Sequence, residues 1–461
     1  MNHFDLIAVL FVSFGLLVIS ALTGTFMGYP LLVSLVLFVI VLIRRGWRLR
    51  SLLQMGLTGA KQSVPVVSVL LLIGMITAVW MAAGTVPALV YYGTRLISSQ
   101  LFILCAFLLT SAVSILMGTS FGAVGTLGIA LMVMARGSGV EVNPVAGAII
   151  AGAFVGDRCS PMSSSAHLVA SITHTALYNN LQNMVRSGLW PLILSVMFYV
   201  ILSILHPVQL TDHSLIDELP NAFNLSPVVL SPAVVILLLA MLRVEVKLAM
   251  LVSIGLGVAI AHHFQHDSFI ALIRFTLLGY QLDTDAPLQA ILIGGGLLPM
   301  VKATFIVLVS TAFAGIFAGS QALSFVDTWL SKIRTQRQLA RATVVTAIFA
   351  NLFGCTQTIA ILLTGQVMRP HYQSYYQSYY QKFSASSVSD EQLALDLEDT
   401  AVVIAPLVPW NIAGLIPATI LAVGPGFIPY TSYLLLLPLF SLFRNRLSAE
   451  GQLATAKPTL Q

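Results

Sequence analysis

The chain has 461 residues, of which 57% are hydrophobic and only 8% are charged. Soluble globular proteins carry about 25% charged residues, so this composition excludes an ordinary water-soluble protein. The net charge of +5 does not indicate a nucleic-acid-binding protein, because Lys and Arg are concentrated in short connections between apolar segments.

Apolar segments long enough to cross a bilayer follow one another along the chain. They lie near residues 5–23, 29–43, 64–83, 101–117, 143–156, 188–206, 227–241, 247–262, 301–318, 341–364, 400–423 and 426–443. Glycine and proline interrupt several of them, so we expect about 11 to 13 transmembrane segments. The first segment has no basic residues before it and is interpreted as a span, not as a signal peptide. The predicted fold is an all-α polytopic membrane protein.

Basic residues predict the orientation of these segments. They cluster in three connections and in the tail, at Arg44, Arg45, Arg48, Arg50 and Lys61, at Arg243 and Lys247, at Lys332, Arg334, Arg337 and Arg341, and at Arg444 and Arg446. Connections rich in Lys and Arg face the cytoplasm. The connections 23–28 and 206–226 contain neither residue and are expected outside. Both termini are therefore expected in the cytoplasm.

Three landmarks of the first half recur in the second half in the same order and with similar spacing. The first set is Ala83-Gly84, Gly118-Thr-Ser-Phe-Gly and Ser160-Pro161, and the second is Ala318-Gly319, Asn351 to Gln357 and Ala405-Pro406. Secondary transporters are often built from such repeats. We predict an N-terminal transmembrane half at 1–226 with a repeat core near 64–206. The C-terminal half is predicted at 227–461 with a core near 300–443.

A polar stretch at 369–397 repeats the motif Tyr-Gln-Ser-Tyr. Tyrosine is enriched where a membrane meets water, so we predict a polar loop at the membrane interface. We prefer this interpretation to an RNA-binding surface.

Asp157 is a single carboxylate at the end of a long apolar segment, and Pro161 and several serines follow it. An ionisable side chain at membrane depth predicts a functional site. A carboxylate that binds either a proton or a cation provides the simplest chemistry for an exchanger. In the alternative interpretation, Asp157 and Arg158 lie at a membrane edge and Arg158 is solvated.

Oxygen-bearing side chains near the interruptions are candidate ligands for a cation. The segment 118–128 contains four glycines and three hydroxyls, which disfavours a continuous helix and frees carbonyl oxygens; close helix packing through small residues explains it equally well. We expect Asp157 to hold a proton and a small cation alternately. The neutral oxygens around it are expected from Thr119, Ser120, Ser160, Ser163, Asn351 and Gln357.

A third polar stretch begins at Glu398-Asp399 and ends at Asn411. The paired acids are predicted to gather cations or protons, or to act as charges at a helix N-terminus. The Asn411 amide can satisfy backbone groups freed by the prolines before it. His167 is a candidate for proton exchange, although a structural histidine explains it equally well. Arg158 and His167 are also candidates for contact with a solute carboxylate.

No nucleotide-binding loop, nucleophile motif or metal-ligand spacing is present in the sequence. Cys105, Cys159 and Cys355 are expected to be small packing residues. The chain is therefore expected to be a secondary transporter and not an enzyme. No cofactor is expected beyond the transported ions and solutes themselves, the expected surroundings are the lipid bilayer, and no nucleic-acid partner is expected. Assembly into a homodimer is compatible with the sequence.

Several motifs together resemble the NhaC-type Na⁺/H⁺ antiporter family of the ion transporter superfamily. They are Gly118-Thr-Ser-Phe-Gly-Ala-Val-Gly-Thr, the segment from Ala146 through Gly156-Asp-Arg-Cys-Ser-Pro-Met-Ser, Gly294-Gly-Gly-Leu, Leu397-Glu-Asp and Pro406-Leu-Val-Pro-Trp-Asn. The resemblance implies two inverted repeats with broken or re-entrant helices that meet at a central site. It also implies secondary antiport by alternating access across the plasma (inner) membrane, with Na⁺ and H⁺ as the transported ions. Some family members exchange organic acids.

This chain departs from the family pattern at three places. Ser164 and His167 stand where the family usually has an acid and an asparagine, and Thr356 stands where it usually has an acid. The segment 401–404 is apolar where relatives are rich in Gly and Thr. The leading prediction is Na⁺/H⁺ antiport at Asp157. The alternative is proton- or sodium-coupled exchange of a small organic anion or amino acid.

Overall fold

A computed structural model shows a helical protein. It describes residues 4–96, 100–137, 139–206, 219–220, 222–242, 244–281, 295–320, 330, 333, 335–379 and 382–443. Several residues named above therefore lie outside the described part of the chain: Arg243, Gly294, Lys332, Arg334, Arg444 and Arg446.

Eleven helices belong to the first half of the described chain. They are α1 (Phe4–Thr23), α2 (Gly28–Arg44), α3 (Leu49–Gln62), α4 (Val64–Ala82), α5 (Thr85–Leu96), α6 (Phe102–Met117), α7 (Ser120–Ala123), α8 (Ile129–Gly137), α9 (Val142–Cys159), α10 (Ser164–Thr173) and α11 (Leu177–Leu205). A π-helical turn, Val124–Gly128, joins α7 to α8.

Nine further α-helices are described in the second half. They are α12 (Ser231–Met241), α13 (Val246–Phe264), α14 (Phe269–Leu278), α15 (Leu297–Gly319), α16 (Gln336–Gly354), α17 (Gln357–Tyr379), α18 (Lys382–Leu397), α19 (Ile412–Ile420) and α20 (Ser432–Phe443). A π-helical turn, Glu398–Val402, extends α18, and short 3₁₀ turns occupy Pro227–Leu230, Ala405–Leu407 and Pro425–Tyr430.

Within the described residues, four helices are long and apolar enough to cross a membrane: Val64–Ala82, Leu177–Leu205, Lys247–Phe264 and Leu297–Gly319. A fifth candidate is the pair Val388–Leu407 and Ile412–Ile420, which bends by 49° at its break. Large apolar side chains such as Phe11, Trp190 and Ile270 are more than half exposed. Such a surface suits lipid and not water. The prediction of an all-α polytopic membrane protein is confirmed.

Two helix interruptions stand out among the described residues of each half. In the first half, α6 ends at Gly118, which has a φ of 66°, and α9 ends before Ser160-Pro161. In the second half, α16 ends at Cys355, which has a φ of 50°, and the polypeptide breaks again around Pro406. A left-handed conformation is unusual for a residue other than glycine. The predicted segments 341–364 and 400–423 are therefore each divided.

The two interruptions within each half contact each other. The Ser160 hydroxyl donates a 2.7 Å hydrogen bond to the Ile115 carbonyl in the last turn of α6. The Ile412 backbone N–H donates a 2.9 Å hydrogen bond to the Cys355 carbonyl. These bonds satisfy carbonyl groups that the ends of α6 and α16 leave without helical partners. The paired arrangement supports the repeat hypothesis, but the inverted relation stays a prediction.

Packing of the helices does not follow the predicted boundary at residue 226. The helices α2 and α3 of the first half pack against α15 of the second, and α3 crosses α15 with Gly59 against Gly315. In return, α13 and α14 pack against α4. Trp80 of α4 donates a 2.9 Å hydrogen bond from Nε1 to the Ser253 hydroxyl of α13. Each half therefore contributes helices that cover the other.

The predicted polar loop at 369–397 is wrong, because the described residues of this segment are helical. Residues 369–379 complete α17 and 382–397 form α18. Tyr372 and Tyr376 are four residues apart and therefore share one helix face. Both are buried: the Tyr372 hydroxyl lies 2.9 Å from that of Thr343, and Gln336 Nε2 donates to the Tyr376 hydroxyl at 3.4 Å.

Candidate functional site

Close packing between α6 and α9 sets the position of Asp157. Gly152 and Gly156 are four residues apart on α9, and both face the backbone of α6. A Cβ atom at Gly156 would lie 2.0 Å from the carbonyl carbon of Ser114. Small residues at this spacing allow helix backbones to approach closely in a membrane. The residue after Gly156 is therefore held at depth within the bundle.

The Asp157 carboxylate is buried at the contact between the two halves, with 5% of the residue exposed. Gln357, the first residue of α17, donates a 2.8 Å hydrogen bond from Nε2 to Asp157 Oδ2. The Ser120 backbone N–H also faces this carboxyl group. Gln357 and Ser120 each follow a helix interruption, so interruptions in both halves supply donors to one acid.

Serine hydroxyls after Asp157 bond to its backbone carbonyl. Ser163 Oγ donates to the Asp157 carbonyl oxygen, and Ser165 Oγ donates to the same oxygen at 2.7 Å. Ser163 also caps α10 by accepting the Ala166 N–H at 3.3 Å. The serines thus stabilise the break after α9. Ligation of a cation by Ser160 or Ser163 stays a prediction.

Arg158 is completely buried and forms a salt bridge with Asp399, which is also completely buried. Its guanidinium donates further hydrogen bonds to Ser187 Oγ at 2.6 Å, to the Met184 carbonyl at 3.0 Å and to the Tyr433 hydroxyl at 3.2 Å. The alternative of a solvated Arg158 at a membrane edge is wrong, because these groups enclose it. The sequence contains no signal for its partners, which come from α11, α20 and the π-helical turn after α18.

Glu398 is buried beside this salt bridge. Its residue exposure is 0%, and neither carboxyl oxygen has a hydrogen-bond partner among the described residues. It interacts electrostatically with Arg158, Asp157 and Asp399. The π-helical turn places two consecutive acids, Glu398 and Asp399, inside the bundle, and such turns occur frequently at functional sites. The alternative of simple helix N-terminal charges is wrong, because Glu398–Val402 follows α18 without a break.

Asn351 and Asn411 hold the second-half interruptions together. Asn351 Nδ2 donates to the carbonyls of Ala347 and Ala401, each at 3.0 Å. Asn411 Nδ2 donates to Asn351 Oδ1 at 3.1 Å, and its Oδ1 accepts the Ala413 N–H at the start of α19. The Asn411 amide therefore forms hydrogen bonds with backbone groups that the helix interruption leaves without helical partners, as predicted. A direct role for either amide in ion binding stays a prediction.

His167 and Thr119 are placed differently from Asp157. His167 is exposed, and its Nε2 lies 3.0 Å from the Pro161 carbonyl oxygen. Thr119 is the N-cap of α7 and accepts the Gly122 N–H at 3.5 Å. His167 therefore lies apart from the buried acids, and its role in proton or solute contact stays a prediction. Within the described residues, no group of three His, Cys, Asp or Glu side chains is arranged to hold a metal ion.

A cavity of about 310 Å³ adjoins Gln357. Its lining combines hydroxyls and an amide with apolar side chains: Ser63, Val66, Phe121, Thr311, Thr356, Gln357, Thr358, Ile359, Ile412 and Ala413. No charged residue is in this lining. Gln357 both lines the cavity and donates to Asp157, so it connects the cavity to the acid.

A second buried polar cluster was not expected from the sequence. The Asp396 carboxylate accepts hydrogen bonds from the Tyr372 hydroxyl and from Gln392 Nε2, the latter at 3.0 Å. Tyr372 in turn contacts Thr343 on α16. The cluster joins α16, α17 and α18 through paired polar groups, so it stabilises the helix triplet that positions Glu398 and Gln357.

Apolar helices with broken segments that meet at buried acids define a class of protein, namely a polytopic membrane transporter. A model of the Na⁺/H⁺ antiporter family matches residues 4–175 and 152–443. The chain belongs to this family. The family resemblance predicted from the motifs is thereby confirmed.

Several curated proteins are similar over most of their length. An Na(+)/H(+) antiporter NhaC from Alkalihalophilus pseudofirmus is 27% identical over 90% of this chain and 88% of its own length. An NhaC from Bacillus subtilis is 28% identical, with 90% of each chain covered. A malate-2H(+)/Na(+)-lactate antiporter from Bacillus subtilis is 26% identical over 87% of this chain and 85% of its own.

Proposed function

We propose that this protein exchanges Na⁺ or another monovalent cation for H⁺, with Asp157 as the central site. One observation carries the proposal: a buried carboxylate lies where the two halves meet, and its hydrogen-bond donor Gln357 lines a cavity that also contains hydroxyl groups. A buried acid is tolerated only when its charge is compensated or neutralised by a proton. Binding a cation and binding a proton are therefore competing ways of filling the same site.

The position of Asp157 supports exchange by alternating access. Its backbone belongs to α9 of the first half, whereas Gln357 belongs to α17 of the second half. Movement of one half against the other would change the contact between them and the access to the acid. Broken helices at a central site are the usual setting for this motion in secondary transporters.

The cavity lining supports an inorganic cation over an organic anion. A carboxylate solute needs a cationic partner, and the ten residues around the cavity provide hydroxyls, an amide and apolar surface. Arg158 already forms a salt bridge with Asp399. The similarity to the malate-2H(+)/Na(+)-lactate antiporter favours coupled exchange of a small organic anion as the second candidate.

Transport by the purified protein in liposomes tests the proposal. We expect an imposed Na⁺ gradient to drive opposite proton movement, reported by a trapped pH-sensitive dye, without any organic solute. Asp157→Asn should reduce this flux to the rate of protein-free liposomes. Asp5→Asn, which neutralises an exposed acid on α1, is the matched control and should transport normally.

A panel of malate, lactate, arginine and ornithine in counterflow separates the two candidates. Flux that requires an organic solute and ignores Na⁺ would overturn cation/proton exchange in favour of the second candidate. Normal Na⁺-driven proton flux in the Asp157→Asn protein would overturn the assigned site.

A further inference from the structure

Helix α3 presents two exposed faces of different chemistry. Leu49, Leu53 and Leu57 are four residues apart, so they share one face, and each is more than half exposed. We call them the leucine face. The neighbouring face carries exposed polar side chains, namely Arg50, Gln54, Thr58 and Lys61. The remaining face packs against α15 through Gly56 and Gly59. A helix with an apolar and a basic polar face suits the boundary between lipid and water.

Arginines cluster in the turn that leads into this helix. Arg44 ends α2, Arg48 directly precedes α3, and Arg50 lies in its first turn. We call these three residues the basic turn. All three are exposed, and none of them forms a salt bridge with a described residue. Their positive charge makes this turn complementary to an anionic ligand.

The basic turn lies at the edge of an exposed apolar surface. On α2 the exposed side chains Val36, Ile40 and Ile43 lead to Arg44, and on α3 the leucine face begins directly after Arg48. Basic side chains beside apolar surface match an anionic phospholipid, whose acyl chains lie in the hydrocarbon region and whose phosphate lies at its edge. A second copy of the chain fits less well, because a two-fold interface would bring two basic turns together.

The packing of α3 connects this surface to the cavity beside Gln357. A Cβ atom at Gly59 would lie 2.2 Å from the Thr311 carbonyl oxygen of α15, and Thr311 lines the cavity. Ser63 follows the last residue of α3 and lines the same cavity. A ligand that holds α3 in place therefore also holds two residues of the cavity wall.

We propose that the basic turn and the leucine face together bind an anionic phospholipid, which holds α3 against α15 and thereby supports transport. The phosphate of the headgroup pairs with the basic turn, and an acyl chain lies along the leucine face. Lipid binding does not depend on the proposed cation/proton exchange, whereas the effect of the lipid on transport rests on that function.

Quenching of tryptophan fluorescence by brominated phospholipids tests the binding. Trp47 is partly exposed and directly precedes Arg48, and the difference between the wild type and Trp47→Phe isolates its signal. In phosphatidylcholine vesicles, we expect brominated phosphatidylglycerol to quench Trp47 more strongly than the same fraction of brominated phosphatidylcholine. Arg44→Gln/Arg48→Gln/Arg50→Gln should reduce this preference by about 100-fold, because each arginine near an anionic surface contributes about fivefold.

Two variants control for charge and for folding. Arg337→Gln/Arg341→Gln removes exposed basic residues from α16 and should retain the wild-type preference. Replacing the three arginines of the basic turn by lysine retains the charge and should also retain most of the preference. Equal quenching of the wild type by both lipids, which needs no arginine variant, would overturn the lipid surface. An equal loss of preference in the α16 variant would overturn it as well.

Two further measurements separate the lipid from other occupants. Glycerol 3-phosphate carries the phosphate without acyl chains, and we expect it to leave the quenching by brominated phosphatidylglycerol unchanged. Its displacement of the lipid at millimolar concentration would show that a soluble anion occupies the basic turn. Oxidative cross-linking of two copies through Leu53→Cys, absent from the wild type, would show a second copy on the leucine face. Either result would overturn the proposal.

Flux in liposomes tests the effect on transport. We expect wild-type Na⁺-driven proton flux to rise as phosphatidylglycerol is added to phosphatidylcholine, and the glutamine variant of the basic turn to stay at the low rate. Flux that does not respond to phosphatidylglycerol would overturn the lipid's role in transport. A lipid preference of Trp47 without Na⁺-driven proton flux in any lipid would retain the binding surface and overturn the proposed function.

Discussion

Arg158 and Asp399 show how one residue pair fixes the geometry of the contact between the halves. Both are completely buried, and Arg158 also reaches Ser187, Met184 and Tyr433. A buried salt bridge adds little net stability, but removing one partner leaves the other as an uncompensated charge. The pair therefore constrains the conformation of the site more than it adds to its stability.

Removing one charge of this pair should lower the free energy of unfolding strongly, whereas removing both charges should lower it much less. Arg158→Gln or Asp399→Asn is expected to destabilise the protein by about 3–5 kcal/mol, because the remaining charge loses its partner. The double variant Arg158→Gln/Asp399→Asn should recover most of that loss. Unfolding in detergent, followed by tryptophan fluorescence, measures the stability of the two single variants and of the double variant. Additive effects in the double variant would show that the two charges do not depend on each other.

Residue-level prediction from the sequence succeeded for Asp157 as a buried acid and missed the partners of Arg158. A lone carboxylate in an apolar segment is visible in the sequence because lipid excludes charge. Its partners are distant: Gln357 is 200 positions away and Asp399 lies 241 positions from Arg158. No local pattern records which polar residues of other helices meet an acid after folding.

The crossing of α6 and α9 is the element on which the position of Asp157 depends. Gly156 contacts the α6 backbone around Ser114, and the Ser114 hydroxyl donates to the Ala153 carbonyl of α9. Any side chain at Gly156 requires the two helices to separate. That separation would displace Asp157, which follows directly.

Gly156→Ala should therefore reduce both stability and transport. Overpacking of this kind costs about 1–3 kcal/mol, and the added methyl group would displace α9 from α6. The matched control is Gly255→Ala on α13, where a Cβ atom meets nothing within 4 Å. Thermal unfolding and liposome flux should change for Gly156→Ala only. Equal behaviour of the two variants would refute the close crossing as the determinant of the site.

Helix interruptions were predictable where glycine or proline marks them, as at Gly118, Pro161 and Pro406. The interruption at Cys355 was predicted less sharply, because a non-glycine residue adopts the left-handed conformation there. The helical structure of 369–379 and 382–397 was missed altogether. The polar composition of this segment is typical of a loop and led to the wrong prediction. The four-residue spacing of Tyr372 and Tyr376 is instead that of one helix face, and both residues are buried.

At the scale of the whole molecule, each half is built around two interruptions that contact each other, and the halves meet at the buried acids. Composition and spacing predicted the membrane class and the paired interruptions. They could not predict that α3 packs on α15 while α13 packs on α4, because lipid-facing and protein-facing apolar side chains look alike in sequence. The orientation of the termini stays a prediction from the basic connections.

The central claim is that Asp157 binds Na⁺ or a proton but not both. Equilibrium binding of radiolabelled Na⁺ to the purified protein across a range of pH tests it most directly. We expect Na⁺ binding to weaken as the pH falls, because protons compete for the carboxylate, and to be absent in Asp157→Asn. Na⁺ binding that does not change with pH, or that persists in Asp157→Asn, would contradict the account.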